Sequence, residues 1–125
     1  MASLLIVAGT GEGDYYLLGR EPVILGRGEG CHIQIVDDAV SRRHLQIRRD
    51  GTGAGYRLED LDSANGTLVN EVPVERETPL ADGDLIGIGR TQLMFSSVDF
   101  ADRETAFQHY RRRGEGAKST IIRRK

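Results

Sequence analysis

The sequence predicts an all-β protein, a sandwich of two sheets. Short runs of alternating apolar and polar residues, such as His44 to Ile47, recur through the first hundred residues. This alternation is typical of half-buried strands. Turn-forming Gly, Asn, Asp and Pro residues separate the runs, and no helix-length periodicity appears before residue 99. Many short strands between turn signals favour a sandwich.

The first half of the chain supplies five candidate strands. They are residues 4–7, 15–18, 23–25, 32–35 and 45–49. Glycines at 9, 11 and 13 predict a turn after the first strand, and Asp50 with Gly51 is a strong hairpin signal after the fifth.

The second half continues in the same way. Residues 56–61 alternate cleanly, and residues 69–74 and 79–89 read as short strands and tight turns. We expect residues 91–95 to close the sandwich by pairing with the first strand. About eleven strands are predicted in total, followed by a short C-terminal helix and a basic tail.

Size and composition indicate one domain with an appended segment. The chain has 125 residues, of which 38% are hydrophobic, enough for a core filled by Leu, Ile and Val. The single cysteine, Cys31, excludes an intramolecular disulfide and zinc clusters of several thiolates. It favours a reducing cytoplasm, and we expect a small core thiol there. No apolar run is long enough to span a membrane, and residues 1–9 read as a strand and not as a signal peptide.

Charge divides the chain into an acidic body and a basic end. Residues 1–100 carry 9 basic and 16 acidic side chains (net −7), whereas residues 101–125 carry 8 and 3 (net +5). The acidic body argues against nucleic-acid binding by the whole surface, and the basic end keeps it open locally. We predict a body over residues 1–98, a helix over 99–113 and a flexible basic tail over 114–125.

The predicted helix has an acidic start and a basic end, which suits its dipole. Phe100, Phe107 and Tyr110 fall close to one face, so we expect the helix to dock against the sandwich or a partner. The tail places Ser119 and Thr120 among basic residues, as basophilic kinases prefer. Self-association through a phosphorylated tail is therefore one hypothesis, and an inert tail is the alternative.

The candidate functional residues fall between the predicted strands. Arg27 follows the third strand, Ser41, Arg42 and His44 precede the fifth, and Asn65 precedes a further strand. Binding residues concentrate on loops held by a rigid scaffold. Arginine supplies a planar fork of donors, and Ser and Asn add directional hydrogen bonds. The set suits a ligand with a dianionic group, and a phosphorylated peptide is the leading candidate.

In this order, Gly26-Arg27, Ser41-x-x-His44 and Asn65-Gly66 resemble the forkhead-associated (FHA) domain family. The resemblance covers roughly the first hundred residues. It implies an eleven-stranded β-sandwich that binds phosphothreonine peptides through loops at one end. It further implies that the ligand contacts are Arg27, Ser41, Arg42 and Asn65, and that the supporting residues are Gly26, His44 and Gly66. A Thr-phosphorylated partner and a Ser/Thr protein kinase follow, with no cofactor or metal.

Two positions depart from the family pattern. Many members carry Ser or Thr just before the asparagine, but this chain has Ala64, which removes one hydroxyl from the site. Glu71 stands where the family often has glycine, and we expect it to matter only for turn shape. The loss at Ala64 keeps open an alternative function, a scaffold of the same fold that binds partners independently of phosphate.

Enzymatic readings find little support in the sequence. Ser41 and His44 lack the orienting acid and strained nucleophile turn of a hydrolase. None of the glycine clusters carries the Lys-Ser/Thr of a phosphate-binding loop. The sequence therefore predicts a binding module and not an enzyme.

Overall fold

The computed structural model describes residues 2–51, 55–97, 104–108 and 110–111, and these form eleven strands and one short helix. The strands are Ala2–Ala8 (β1), Tyr15–Leu18 (β2), Val23–Gly26 (β3), Ile33–Gln34 (β4), Leu45–Arg49 (β5), Tyr56–Asp60 (β6), Leu68–Val69 (β7), Val72–Pro73 (β8), Glu77–Leu80 (β9), Leu85–Ile88 (β10) and Thr91–Ser96 (β11). Residues 104–108 and 110–111 are helical (α1). The all-β prediction with a short C-terminal helix is confirmed. The predicted domain boundaries and the basic tail, residues 114–125, lie outside the described residues.

The strands form two sheets. One has the order β2-β1-β11-β10-β7-β8, and the other has the order β4-β3-β5-β6-β9. The first and last strands pair antiparallel, with Ser3 opposite Ser96 and Leu5 opposite Met94. This confirms the expectation that the last strand closes the sandwich against the first.

The core lies between the sheets and follows the period of two along each strand. Leu4 and Ile6 of β1 point inward and are buried with Leu58 of β6 from the other sheet. Tyr56 adds an edge-to-face contact with Phe95, their ring centroids 5.8 Å apart. Burying one such aliphatic side chain contributes about 1.5–3 kcal/mol. This core makes a rigid base for the loops.

The short helix covers the outer face of the six-stranded sheet. Ala106 is 0% exposed and is buried with Leu5, Val7 and Met94, which point away from the main core. Phe107 and Tyr110 pack partly buried against the same cluster. The helix therefore docks on the sandwich, one of the two roles expected for it. No helix among the described residues is long and apolar enough to cross a membrane.

The loops that carry the candidate site residues share one end of the sandwich. Because β3, β5 and β6 are successively antiparallel, the end of β3, the start of β5 and the end of β6 lie together. The loops there are residues 27–32, 35–44 and 61–67. The sequence places Arg27, Ser41 and Asn65 on these three loops, one on each.

Candidate functional site

Arg27 is held at three points. Its backbone N–H donates to the carbonyl oxygen of Ser41 at 2.9 Å, and its Nε donates to the carbonyl oxygen of Val40 at 3.0 Å. The side-chain amide of Gln34 donates to the Arg27 carbonyl at 3.1 Å. The guanidinium is oriented through Nε, which leaves the N–H groups of its two terminal nitrogens for a ligand.

Gly26 is required by a close approach of two loops. A Cβ at this position would overlap the carbonyl oxygen of Arg42. The same oxygen accepts hydrogen bonds from the Gly28 N–H at 3.1 Å and from the Cys31 thiol at 2.9 Å. The expectation of a core thiol was wrong, because Cys31 is half-buried in the loop that supports Arg42. The Arg42 side chain itself extends to the exposed surface.

His44 braces two of the loops from below. It is 0% exposed, its Nδ1 accepts the Ser41 N–H at 3.0 Å, and its Nε2 bonds the Gly66 carbonyl at 2.8 Å. Because a backbone N–H only donates and a carbonyl only accepts, the ring is neutral with its proton on Nε2. The expected burial of His44 is confirmed. Both ring nitrogens are occupied, so the ring has no lone pair to accept the Ser41 hydroxyl proton.

Ser41 and Asn65 each keep unused hydrogen-bonding capacity. The Ser41 hydroxyl oxygen accepts the Ala64 N–H at 2.9 Å, which leaves its proton free to be donated. The Asn65 amide nitrogen donates to the Ala39 carbonyl at 3.0 Å, which leaves one N–H and the Oδ1. Gly66 follows with φ +85°, a conformation that glycine favours. The loops of Ser41 and Asn65 therefore hold each other in place.

Asp60 organises the loop that carries Asn65, a role that sequence reasoning missed. Its carboxylate accepts hydrogen bonds from the Ser63 hydroxyl at 2.6 Å, the Thr67 hydroxyl at 2.7 Å and the Ser63 N–H at 3.1 Å. Burial raises the pKa of Asp60, but these three hydrogen bonds outweigh the effect of burial, so the pKa is lowered. An aspartate three residues before a serine in a turn is a local capping signal that could have indicated this role.

Together these contacts bring three donor groups to one end of the sandwich. Arg27 is bonded directly to the segment that holds Ser41, and Asn65 is bonded to the same segment through Ala39. Each of the three side chains is anchored by one hydrogen bond and retains at least one further donor. A cation, a hydroxyl and an amide held in this way suit an anionic group attached to a peptide backbone.

Comparisons with known proteins agree with this geometry. The FHA domain family matches residues 23–89. The FHA domain-containing protein FhaA of Mycobacterium tuberculosis is 44% identical over 92 residues, 74% of this chain and 17% of FhaA. The oxoglutarate dehydrogenase inhibitor of Corynebacterium jeikeium is 38% identical over 94 residues, 75% of this chain and 63% of the inhibitor. The chain spans less than two thirds of the length of these curated relatives.

Solved structures of FHA domains also match this chain. A structure from a study of phosphothreonine-dependent FHA domain interactions matches with a TM-score of 0.69 and 39% identity, covering 79% of this chain and 98% of that one. The FhaA FHA domain, solved in complex with the intracellular domain of Rv3910, has a TM-score of 0.67 and 41% identity and covers 76% of this chain and 99% of that one. With the sandwich, the converging loops and the family match in agreement, this chain belongs to the FHA domain family of phosphothreonine-binding modules.

Proposed function

We propose that this chain binds a Thr-phosphorylated partner protein through Arg27, Ser41, Arg42 and Asn65. The observation that carries the proposal is that Arg27, Ser41 and Asn65 are locked by hydrogen bonds and still keep donors free. Arg27 clamps the phosphate, the Ser41 hydroxyl donates to a second phosphate oxygen, and Arg42 adds a cation at the rim. The remaining amide groups of Asn65 pair with peptide backbone beside the phosphothreonine.

Preorganisation supports this assignment energetically. Ordering loops and side chains on binding opposes affinity, but here Gly26, His44 and Gly66 hold the loops before the ligand arrives. Hydrogen bonds to a charged group contribute about 1.5–3 kcal/mol each, against about 0.5–1.5 kcal/mol for neutral pairs. Most of the affinity should therefore come from the phosphate itself.

The proposed phosphothreonine binding also indicates the cellular process in which the chain acts. A phosphothreonine reader requires a Ser/Thr protein kinase to produce its ligand, so we place the chain in kinase signalling in the cytoplasm. Relatives include FhaA and an oxoglutarate dehydrogenase inhibitor. We assign no catalytic activity to the chain, because the Ser41 hydroxyl has no base available and the polar groups of the site serve binding.

The test is a phosphopeptide library screen on the purified chain, followed by titration of a selected peptide with and without its phosphate. Arg27→Ala should weaken binding of the phosphopeptide by more than about tenfold, the effect of losing a charge-assisted contact. Its melting temperature should stay close to that of the unsubstituted protein. Arg20→Ala is the matched control, because Arg20 is an exposed arginine in the β2–β3 turn at the opposite end of the sandwich. Equal affinity for the phosphorylated and unphosphorylated peptides would refute the assignment.

One observation favours a second candidate function. Ala64 gives the site one hydroxyl fewer than many family members have, which would suit a scaffold that binds partners without phosphate. Partner binding that survives phosphatase treatment would support this candidate against the first.

A further inference from the structure

Asp37 links the recognition loops to the opposite sheet. It lies between β4 and β5 and is 6% exposed. Its Oδ1 accepts the Ala39 N–H at 2.9 Å, and its Oδ2 accepts the Arg90 N–H at 2.8 Å and the Thr91 hydroxyl at 2.9 Å. Arg90 lies in the β10–β11 turn of the six-stranded sheet, and Thr91 is the first residue of β11. One carboxylate therefore ties the two sheets together at the end that carries the site.

The turn that Asp37 closes also supplies the anchors of the site. The carbonyl oxygen of Asp37 accepts the Val40 N–H at 2.9 Å, so residues 37–40 form a tight turn. Within it, the Ala39 carbonyl accepts the bond from Asn65, and the Val40 carbonyl accepts the bond from the Arg27 Nε. Two of the proposed ligand-binding side chains are thus oriented by consecutive carbonyls of the turn.

The neighbouring turn is shaped around this carboxylate. Gly89 has φ +60°, and a Cβ there would lie 2.8 Å from both carboxylate oxygens of Asp37. A Cβ at position 89 would force the carboxylate of Asp37 to move. The Arg90 N–H can only donate a hydrogen bond. If asparagine replaced Asp37 with its amide nitrogen at the position of Oδ2, two donors would face each other and no hydrogen bond would form. The arrangement therefore requires a carboxylate at 37 and a glycine at 89.

We propose that Asp37 is a positioning residue for the phosphothreonine site, fixing Arg27 and Asn65 through the carbonyls of Val40 and Ala39. The proposal rests on the proposed function only where it concerns ligand affinity. The effect of Asp37 on the side chains of Arg27 and Asn65 exists in the free protein and can be measured there.

The binding arm of the test compares two aspartate-to-asparagine substitutions. Asp84 is the matched control, because its carboxylate also accepts from a backbone N–H, of Ala81 at 2.8 Å, and from a side-chain amide, of Asn70 at 2.9 Å. Asp84 comes directly before β10, and Gly89 comes directly after β10. Asp84 therefore lies at the end of the sandwich opposite to Gly89 and Asp37. The probe is a phosphothreonine peptide that the unsubstituted chain selects from a library. Asp37→Asn should weaken binding of this peptide about tenfold, measured at a temperature where both variants are folded. Asp84→Asn should weaken binding by less than about twofold.

The second arm needs no ligand. In ¹H–¹⁵N spectra of the free protein, Asp37→Asn should shift the Arg27 Nε–H and Asn65 Nδ2–H signals, because both report bonds to the turn. Asp84→Asn should leave these two signals in place. If the unsubstituted chain binds no phosphothreonine peptide, the proposed function fails while this arm still decides the role of Asp37.

A second variant covers the case in which Asp37→Asn does not fold. Gly89→Ala keeps every hydrogen-bonding group of the recognition loops but forces the carboxylate of Asp37 to move. This variant should therefore shift the same two signals and should also weaken binding of the peptide. The proposal is overturned if the folded variants leave both signals unchanged, or if they bind the peptide as the Asp84→Asn control does.

Discussion

The hydroxyl oxygen of Ser41 accepts a hydrogen bond from the backbone N–H of Ala64 at 2.9 Å. Since that lone pair is taken, the hydroxyl proton is directed elsewhere, and we propose that it points to a phosphate oxygen. The exposed side chain of Ala64 stands directly beside this bond. A hydroxyl at position 64 would therefore add a donor close to the one that Ser41 supplies.

Ala64→Ser should increase phosphopeptide affinity by about tenfold or more, because one further hydrogen bond to a charged group is formed. Isothermal titration with a phosphothreonine peptide measures the change. Ala64→Val, which adds bulk without a hydroxyl, should give no gain. If the serine variant binds no more tightly than the valine variant, residue 64 does not face the phosphate.

Glu71→Gly should stabilise the fold. Asn70 and Glu71 form the two-residue turn between β7 and β8 with φ values of 53° and 69°. Such a turn favours Asn-Gly, and a non-glycine residue in this conformation costs roughly 1–2 kcal/mol. Because glycine also gains entropy in the unfolded chain, the net gain should be about 0.5–1 kcal/mol in urea unfolding. Glu75→Gly, at an exposed position where the backbone does not adopt positive φ, should not stabilise.

Asp60→Asn should change the response of the protein to acid. The lowered pKa of Asp60 in the folded state means that its ionised form contributes stability above the ordinary aspartate pKa of about 4. This contribution is lost as the pH falls through the folded-state pKa. The difference in unfolding free energy between the unsubstituted protein and Asp60→Asn should therefore be largest near neutral pH and shrink below about pH 4.

Urea unfolding at several pH values measures that difference, with Asp38→Asn as an exposed aspartate control. A difference between the two proteins that stays constant down to the most acidic condition would show that the Asp60 carboxylate is not a source of the acid sensitivity.

Ala106→Asp should detach the helix from the sheet while sparing the binding site. Ala106 is completely buried against Leu5, Val7 and Met94, and burying an unpaired carboxylate there is strongly unfavourable. We expect a loss of about 2 kcal/mol or more in unfolding free energy. Phosphopeptide affinity below the melting transition should be unchanged, because the helix lies on a sheet face and not at the loop end. A parallel loss of affinity would connect the helix to the site.

The parts of the fold that could be predicted are those encoded by neighbours in sequence. Alternation along residues 45–49 and 56–60 specifies two strands, and the ordered loop residues Arg27, Ser41 and Asn65 are visible as a set. β4 is shorter than the alternation over residues 32–35 indicates, because pairing with β3 covers only Ile33 and Gln34. Pattern alone does not report how long a partner strand remains in register.

The supporting carboxylates could be recognised only in part. Asp60 bonds to residues three and seven positions away, so its role is locally encoded. Asp37 bonds to Ala39 two positions away, but its contacts with Arg90 and Thr91 span more than fifty residues. Contacts of that kind depend on how the two sheets close, which no local spacing of residues indicates.

The pairing of Ser3 with Ser96 has a practical consequence. It brings the start of β1 and the end of β11 side by side at the end of the sandwich opposite to Arg27 and Asn65. A reporter domain or surface tether attached ahead of β1 would therefore leave the proposed site unobstructed. Immobilisation through this end would present every copy with its recognition loops facing the solution.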